Sequence, residues 1–281
     1  MWQRRSAGKV RVFITVKTYP QPSTKHNETV CTAGVTDDGR WIRLYPVPFR
    51  WLEDGRQYHK WQWIDVSITA DASQNDPRRE SHRVDVLSIQ PGEIIDSDHD
   101  KTWKKRCALL DHLPHHTMQD LEAAWSADRE AGRPWTSIGM VRPSAILDMT
   151  WEEQDQREWT PAELAKLQQE RIFGPEEGVK VLEKIPYRFY IHFACPGREK
   201  PYKMMFEDWE IGMLYRNCKQ SSKDEAEALQ KVRDSYLSKW LNLEKRDVRL
   251  IVGTRSVYPT WLIIGLFTPP RRPHDGQQTI F

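Results

Sequence analysis

The first ninety residues contain a series of short segments in which apolar and polar side chains alternate, and this pattern constrains the fold more than any other feature. Alternation with a period of two predicts half-buried β-strands. Gly39, in the sequence TDDGR, supplies the positive φ of a hairpin turn between the second and third strands. Three strands, then a gap of 13 residues, then two strands are typical of an OB-type barrel. We predict strands at 9–18, 29–36, 40–47, 61–70 and 81–90.

The third predicted strand carries the candidate binding surface. Its alternation places Trp41, Arg43 and Tyr45 on one face, with Ile42 and Leu44 on the other. Two aromatic rings beside a guanidinium are typical of surfaces on which bases stack while an arginine holds phosphate. The competing interpretation is that the rings fill the barrel and that the arginine covers them with its charged head in water.

Helical and strand-like patterns share the rest of the chain. The later strands are numerous enough for a second barrel of about five strands, on which the long helix at 221–241 packs. Strands are predicted at 136–149 (interrupted by Pro143), 187–194, 246–254 and 260–268. Helices are predicted at 100–113, from the N-cap Thr117 to Gly132, from the N-cap Thr160 to Gly174, from the N-cap Asp208 to Cys218, and at 221–241 with a capping box from Ser222 to Glu225.

These elements predict an α+β protein with two OB-like β-barrels, a helical segment between them and a long helix on the second barrel. We place the first barrel at 1–95, a helical connector at 96–133, the second barrel with helical insertions at 134–270 and a flexible tail at 271–281.

The charge of the chain is unevenly distributed, although its net value is only +2. Residues 1–50 carry nine Lys and Arg against three Asp and Glu, whereas residues 148–183 carry ten acids against four bases. A local basic field is compatible with a polyanionic partner, but charge runs usually only keep a surface solvated. The 13 tryptophans suit barrel cores, interfaces and base-stacking platforms alike.

The motifs of common enzymes do not occur in this sequence. There is no phosphate-binding loop, dinucleotide fingerprint, H-E-x-x-H or G-x-S-x-G. His115 and His116, in a histidine-rich stretch, are adjacent and point apart, and Cys195 has no identifiable base. We therefore expect neither a metal nor a cofactor. Scattered cysteines, short apolar runs and the lack of a signal-peptide pattern favour a cytoplasmic location.

Four stretches resemble a family of bacterial proteins described as dual OB-containing domains. The resemblance implies two OB-like barrels in one chain, in agreement with the strand count, and it implies no established catalytic residue. Barrels of this type most often bind single-stranded nucleic acid, but a fold alone does not determine function. The stretches are KTYPQPSTKHNETVCTAGVTDDGRWIRLYPVPFR at 17–50, SIGMVRP at 137–143, DWEIGMLYRN at 208–217 and IVGTRSVYPTWLIIGLFTPP at 251–270.

We predict a non-catalytic protein that binds nucleic acid, with single-stranded DNA or RNA favoured. It would be an accessory to an enzyme encoded elsewhere, for instance in phage defence or DNA modification. The predicted binding residues of the first barrel are Lys17, Tyr19, Lys25, His26, Trp41, Arg43, Tyr45 and Arg50. Those of the second barrel are Arg188, Lys203, Arg216 and Arg255.

Two alternative functions remain open at this stage. One is a protein–protein adaptor subunit, in which exposed tryptophans and the acidic middle of the chain dock a partner. The other is a nucleotide-sensing or nucleotide-hydrolysing protein with a site between the barrels. A pocket in which Lys25, His26 and Glu28 meet basic residues of the second barrel would favour the second alternative.

Overall fold

The computed structural model is a mixed α+β structure with two seven-stranded sheets, one of them curled as a half-barrel, and five α-helices among the described residues. It describes residues 6–23, 27–69, 76–168, 181, 183–255 and 260–271. None of the helices in these ranges is both long and apolar enough to cross a bilayer.

The first sheet is built from the N-terminal third of the chain. Its strands are β1 (Gly8–Lys17), β2 (Gln21–Ser23), β3 (Asn27–Thr36), β4 (Trp41–Val47), β5 (Gln62–Ile68), β6 (Ser81–His82) and β7 (Val84–Ile94). The strand order is β6-β4-β3-β1-β5-β7, with β2 paired to β3. Only Arg83 separates β6 from β7, so one continuous segment pairs with β4 in parallel and with β5 in antiparallel orientation.

The second sheet repeats this plan. Its order is β10-β11-β12-β14-β13-β9-β8, in which β12 with β14 and β8 with β9 are parallel pairs. Its strands are β8 (His115–His116), β9 (Ile138–Val141), β10 (Ala145–Glu153), β11 (Tyr187–Ala194), β12 (Tyr202–Phe206), β13 (Arg249–Thr254) and β14 (Trp261–Phe267). Consecutive strands again lie far apart in the order: β10 is at one end, and β9 is next to β8 at the other, although only residues 142–144 separate β9 from β10.

The helices lie between strands of the sheets or between the sheets themselves. They are α1 (Lys104–Leu110), α2 (Met118–Glu130), α3 (Pro161–Gln168), α4 (Trp209–Gln220) and α5 (Glu225–Ser235), and a π-helical turn, Tyr236–Trp240, follows α5. The predicted N-caps Thr117 and Asp208 are confirmed by hydrogen bonds to the amides of Asp120 and Glu210. The predicted end of the third helix at Gly174 lies outside the described residues.

The predicted start of the helix at 221–241 is wrong. Asp224, not Ser222, is its N-cap, and the Asp224 carboxylate accepts from the amide of Glu227 at 2.8 Å. Glu225 is unavailable for the expected capping box because its carboxylate accepts from the hydroxyl of Tyr187 at 2.7 Å. A tertiary contact therefore displaces the local motif by two residues.

Sequence patterns do not predict β2, β8 and β12. These strands have two to five residues, which is too few for alternation to be recognised. The segment expected to be a helical connector, residues 96–133, contains α1 and α2. It also contains β8, which is a strand of the second sheet. Of the expected tail at 271–281, only Arg271 is among the described residues.

Three apolar clusters hold these elements together. One lies inside the first sheet and contains Val12, Ile14 and Ile42, and one joins the second sheet to α4 and α5. The third lies between the two sheets, where Phe13 and Ile264 belong to the same cluster. Both faces of β1 and β14 are thus buried, which explains why the whole of β14 is apolar.

Gly34 marks a point where β3 and β1 approach too closely for a side chain. A Cβ on Gly34 would lie 2.1 Å from the carbonyl oxygen of Phe13. We expect Gly34→Ala to lower the free energy of unfolding by about 1–3 kcal/mol, because backbone must move to accommodate the methyl group. Urea denaturation measures this, with Gly55→Ala as the control, since a Cβ on Gly55 has no neighbour within 4 Å. Equal losses in the two variants would contradict the explanation.

Candidate functional site

The structure corrects the expectation that Arg43 faces solvent. Its side chain lies between the two sheets and is only 2% exposed. The guanidinium donates to the carbonyl oxygen of Ser137 at 3.2 Å and to the Sγ of Cys31 at 3.0 Å. Arg43 therefore links the first sheet to the second and does not present its charge to a ligand at the surface.

The physical reason is that the outer face of β4 is covered. A Cβ on Gly253 of β13 would lie 3.1 Å from the Arg43 guanidinium, so the second sheet packs directly over it. Trp41 is half-buried against the apolar cluster between the sheets, whereas Tyr45 is 41% exposed. The predicted platform of Trp41, Arg43 and Tyr45 is thus divided between interior and surface.

Lys17 and Tyr19 are also buried, so they differ from the solvent-facing residues that were expected. The Nζ of Lys17 donates to the carbonyl oxygen of Tyr58 at 3.2 Å and lies 3.4 Å from the centre of the Phe49 ring. Burial lowers the pKa of Lys17 to about 8. Tyr19 packs against Gly212 of α4, where a Cβ would lie 2.5 Å from its ring. Both residues therefore join the first sheet to α4.

The other predicted binding residues that the structure describes lie at or near the surface. Lys25 and His26 lie outside the described residues, and Arg50 is half-buried. Lys203 is exposed, pairs with Glu152 and lies 4.6 Å from the centre of the Tyr190 ring. The remaining three are an exposed Arg188, a partly buried Arg216 that lies 4.0 Å from a Glu183 oxygen, and an exposed Arg255 that pairs with Glu207.

Tyr19, Arg188 and Arg255 line one cavity, although they come from distant parts of the chain. We call this cavity, of about 270 Å³, the arginine cleft. Trp159 and Lys184 also line it, with the Lys184 ammonium 5.4 Å from the centre of the Trp159 ring. The other aromatic and the acidic lining residues are Tyr187, Phe189, Phe206, Glu163, Glu207 and Asp208. An aromatic ring beside cations can stack a planar group and hold an anion attached to it.

Sequence reasoning did not identify Trp159 and Lys184. Trp159 immediately precedes the predicted N-cap of α3, and Lys184 lies shortly before β11. The chain segment that joins β10 to β11 brings them together, and 13 of its residues, 169–180 and 182, lie outside the described ranges. The sequence signal that could have identified Trp159 is its position next to a strong helix start. A tryptophan at such a position is equally typical of a core residue.

A buried charge cluster lies beside the arginine cleft, at the start of α4. The Nζ of Lys60 is 2.9 Å from the Oδ2 of Asp208 and 2.9 Å from the Oε2 of Glu210. The sequence predicted Asp208 as an N-cap but gave no indication of Lys60, which is 148 residues away. The cluster ties the segment before β5 to α4 across the interface between the sheets.

One ammonium is shared by two carboxylates, of which Asp208 is buried and Glu210 is exposed. Burial raises the pKa of Asp208 to about 6, and the charge of Lys60 only partly offsets this. The Lys60 ammonium lowers the pKa of Glu210, which therefore stays ionised. Asp208 is consequently the carboxyl of this cluster that takes up a proton in mildly acidic solution.

The pH dependence of stability follows from this shift. The folded-state pKa of Asp208, about 6, lies above the ordinary value of 3.8. The favourable contribution of Asp208 to the free energy of unfolding is therefore fully present at pH values below 3.8, its ordinary pKa, and is lost as the pH rises through 6. We expect Asp208→Asn, which keeps an N-cap side chain, to become more stable relative to wild type by on the order of 2 kcal/mol across this interval. Urea denaturation at a series of pH values measures the difference.

The control for this experiment is Asp224→Asn. It makes the same change at the exposed N-cap of α5, away from the buried cluster. A difference between wild type and Asp208→Asn that stays constant with pH would contradict the assignment.

The described residues contain no group of three or more His, Cys, Asp or Glu side chains that could hold a metal ion. Residues 8–112 match the family model of a domain of unknown function, DUF8758, and residues 114–281 match that of a second, DUF8757. No curated protein matches the chain. Because the second model covers more than half of the 281 residues, the chain belongs to the DUF8757 family, with a DUF8758 domain before it.

Proposed function

We propose that the protein is a non-catalytic module that binds single-stranded nucleic acid in the arginine cleft. The carrying observation is that Tyr19 of the first sheet meets Arg188 and Arg255 of the second sheet in a cavity that also contains Trp159 and Lys184. These residues provide an indole for stacking and three cations for phosphate contacts. Their convergence replaces the surface that was expected on β4.

We also propose that each sheet is an OB-like barrel, in keeping with the resemblance to dual OB-containing domains. An OB barrel has five strands in Greek-key order. In the first sheet β1, β3, β4 and β5 supply four, and the continuous segment of β6 and β7 supplies the fifth. In the second sheet the continuous segment of β9 and β10 is the first strand, followed by β11, β12, β13 and β14. In both sheets the third and fifth of these strands pair in parallel, which supports a common topology.

The position of the cleft on the second barrel supports the same proposal. OB barrels bind oligonucleotides on strands two and three and on the loops between strands one and two and between strands four and five. Arg188 lies on the second strand, Trp159 and Lys184 lie in the first of these loops, and Arg255 follows the fourth strand. With the second sheet taken as an OB barrel, these positions support a strand-binding role for the cleft.

The charges of the cleft favour binding that depends on salt. In the free protein Arg255 pairs with Glu207, and at 50% exposure its guanidinium can exchange that carboxylate for a phosphate. Arg188 is exposed on β11. Phosphate contacts of this kind release counterions, so affinity falls as salt rises. Stacking on Trp159 would add about 1–3 kcal/mol per base.

We expect Arg255→Ala and Arg188→Ala each to weaken single-strand binding several-fold, irrespective of base sequence, and to reduce the slope of log K against log salt by about 1. Fluorescence anisotropy with labelled single-stranded DNA and RNA, at a series of salt concentrations, measures both quantities. Trp159→Ala should weaken binding by about 1–3 kcal/mol without changing the slope.

Arg142→Ala is the matched control for Arg255→Ala. Arg142 is also 50% exposed and also pairs with a carboxylate, that of Asp247, but it does not line the cleft. Wild-type affinity that is independent of salt, or an equal loss in the Arg142 and Arg255 variants, would overturn the proposed function.

A further inference from the structure

A second cavity, of about 450 Å³, lies on a different face of α4 from the arginine cleft. It opens between α1, α4 and the π-helical turn, so both halves of the chain contribute to it. We call it the tryptophan pocket. Its aromatic lining consists of Trp61, Trp103, Tyr236 and Trp240, and its charged lining consists of Arg106, Glu210 and Lys239.

Two tryptophans of this pocket have a backbone conformation that bulky residues rarely adopt. The φ angle is 68° at Trp61 and 60° at Trp103. Backbone hydrogen bonds maintain the first of these, because the Trp61 amide donates to Ile14 and its carbonyl accepts from Ile95, both at 2.7 Å. Such conformations persist only where the surroundings impose them, and they cluster at binding sites. Here they orient two indoles edge to face, with ring centres 5.7 Å apart.

The opposite wall is also irregular. The chain after α5 forms one π-helical turn, Tyr236–Trp240, and turns of this kind occur frequently at functional sites. Burial raises the pKa of Tyr236 well above its ordinary value, so its ring is a neutral wall. Trp240 is 36% exposed at the edge of the pocket. A large indole is thus kept accessible next to a buried aromatic cluster.

Arg106 brings a guanidinium to the wall of the pocket, where the carboxylates of Asp96, Asp98 and Glu210 act on its charge. The side chain is only 9% exposed, and its Nε donates to the carbonyl oxygen of Ile95 at 2.9 Å. Its guanidinium carbon lies 4.8 Å from the centre of the Trp61 ring and 4.7 Å from that of Trp103. Within the described part of the chain, no acceptor lies within hydrogen-bond distance of the two terminal nitrogens. Four N–H donors are therefore left for a ligand.

The remaining charges also favour an anion. Lys239 lines the pocket and its side chain is exposed. Glu210, the carboxylate on the wall, is already bound to Lys60. Aromatic walls by themselves also suit organic cations, but the guanidinium of Arg106 and the ammonium of Lys239 would repel one.

We propose that the tryptophan pocket binds a small anion that carries a planar aromatic ring, of the nucleoside monophosphate class. The ring lies against the indoles, and the phosphate accepts from Arg106 and Lys239. A volume of about 450 Å³ is within the range of small-molecule sites. Because Arg106 is buried, only a group that enters the pocket reaches it. This site is separate from the arginine cleft, so either proposal can fail without the other.

The test is calorimetric titration of the full chain with AMP, GMP, CMP and UMP, each also followed by quenching of tryptophan fluorescence. We expect at least one monophosphate to bind. Adenosine carries the ring without the phosphate, and inorganic phosphate is the anion without the ring. Each should bind at least tenfold more weakly than the nucleoside monophosphate that binds most tightly. Absence of binding by all four nucleotides, or equal binding of the nucleoside, would overturn the proposal.

Two exposed variants locate the ligand without disturbing the core. Trp240→Ala and Lys239→Gln should each weaken nucleotide binding at least fivefold and leave single-strand binding unchanged. Arg106→Gln should abolish nucleotide binding, with Lys104→Gln, an exposed cation on the same helix, as its control. Circular dichroism checks that the variants fold. Unchanged nucleotide affinity in both Trp240→Ala and Lys239→Gln would place the ligand elsewhere and refute the assignment.

Discussion

The contact between the outer faces of the two sheets is the constraint on which the rest of the structure depends. A sheet with one solvated face shows alternating apolar and polar residues along each strand. Here β14 is apolar on both faces because it lies between two clusters, and β1 places Phe13 in the cluster between the sheets although its other residues alternate. This packing covers the outer face of β4 and leaves Arg43 inside. It also explains why Phe13, on the opposite face of β1 from Ile14, belongs to the cluster between the sheets.

Helix α4 lines both cavities. Its first turn holds Asp208 and Glu210, which bind Lys60 of the first half, and Gly212 allows the ring of Tyr19 to approach. The arginine cleft lies along one face of the helix and the tryptophan pocket along another. Both cavities therefore combine residues from the DUF8758 and DUF8757 segments. The buried ion pair of Lys60 with Asp208 joins the two halves at the start of this helix.

The candidate sites use the abundant tryptophans in different ways. In the arginine cleft Trp159 lies beside Lys184, and the cations there are near the surface. In the tryptophan pocket the indoles enclose a buried guanidinium, and strained backbone holds them in place. An open, cationic surface suits a chain of phosphates, whereas an enclosed pocket with few donors suits one small anion. The two proposals therefore concern ligands of different size within one protein.

The sequence by itself determined the local elements. Alternation predicted β1, β4, β5 and β11 to within a few residues, and capping residues such as Thr117 and Asp208 predicted where helices begin, because these signals depend only on neighbours along the chain. Tertiary structure decided which face of a strand is buried. The alternating pattern of β4 is the same whether solvent or a second sheet covers the face that carries Arg43. The partners Lys60 and Asp208, and the groups lining both cavities, meet across more than a hundred residues. No local sequence pattern predicts contacts between residues so far apart in the chain, because these contacts depend on how two complete sheets pack.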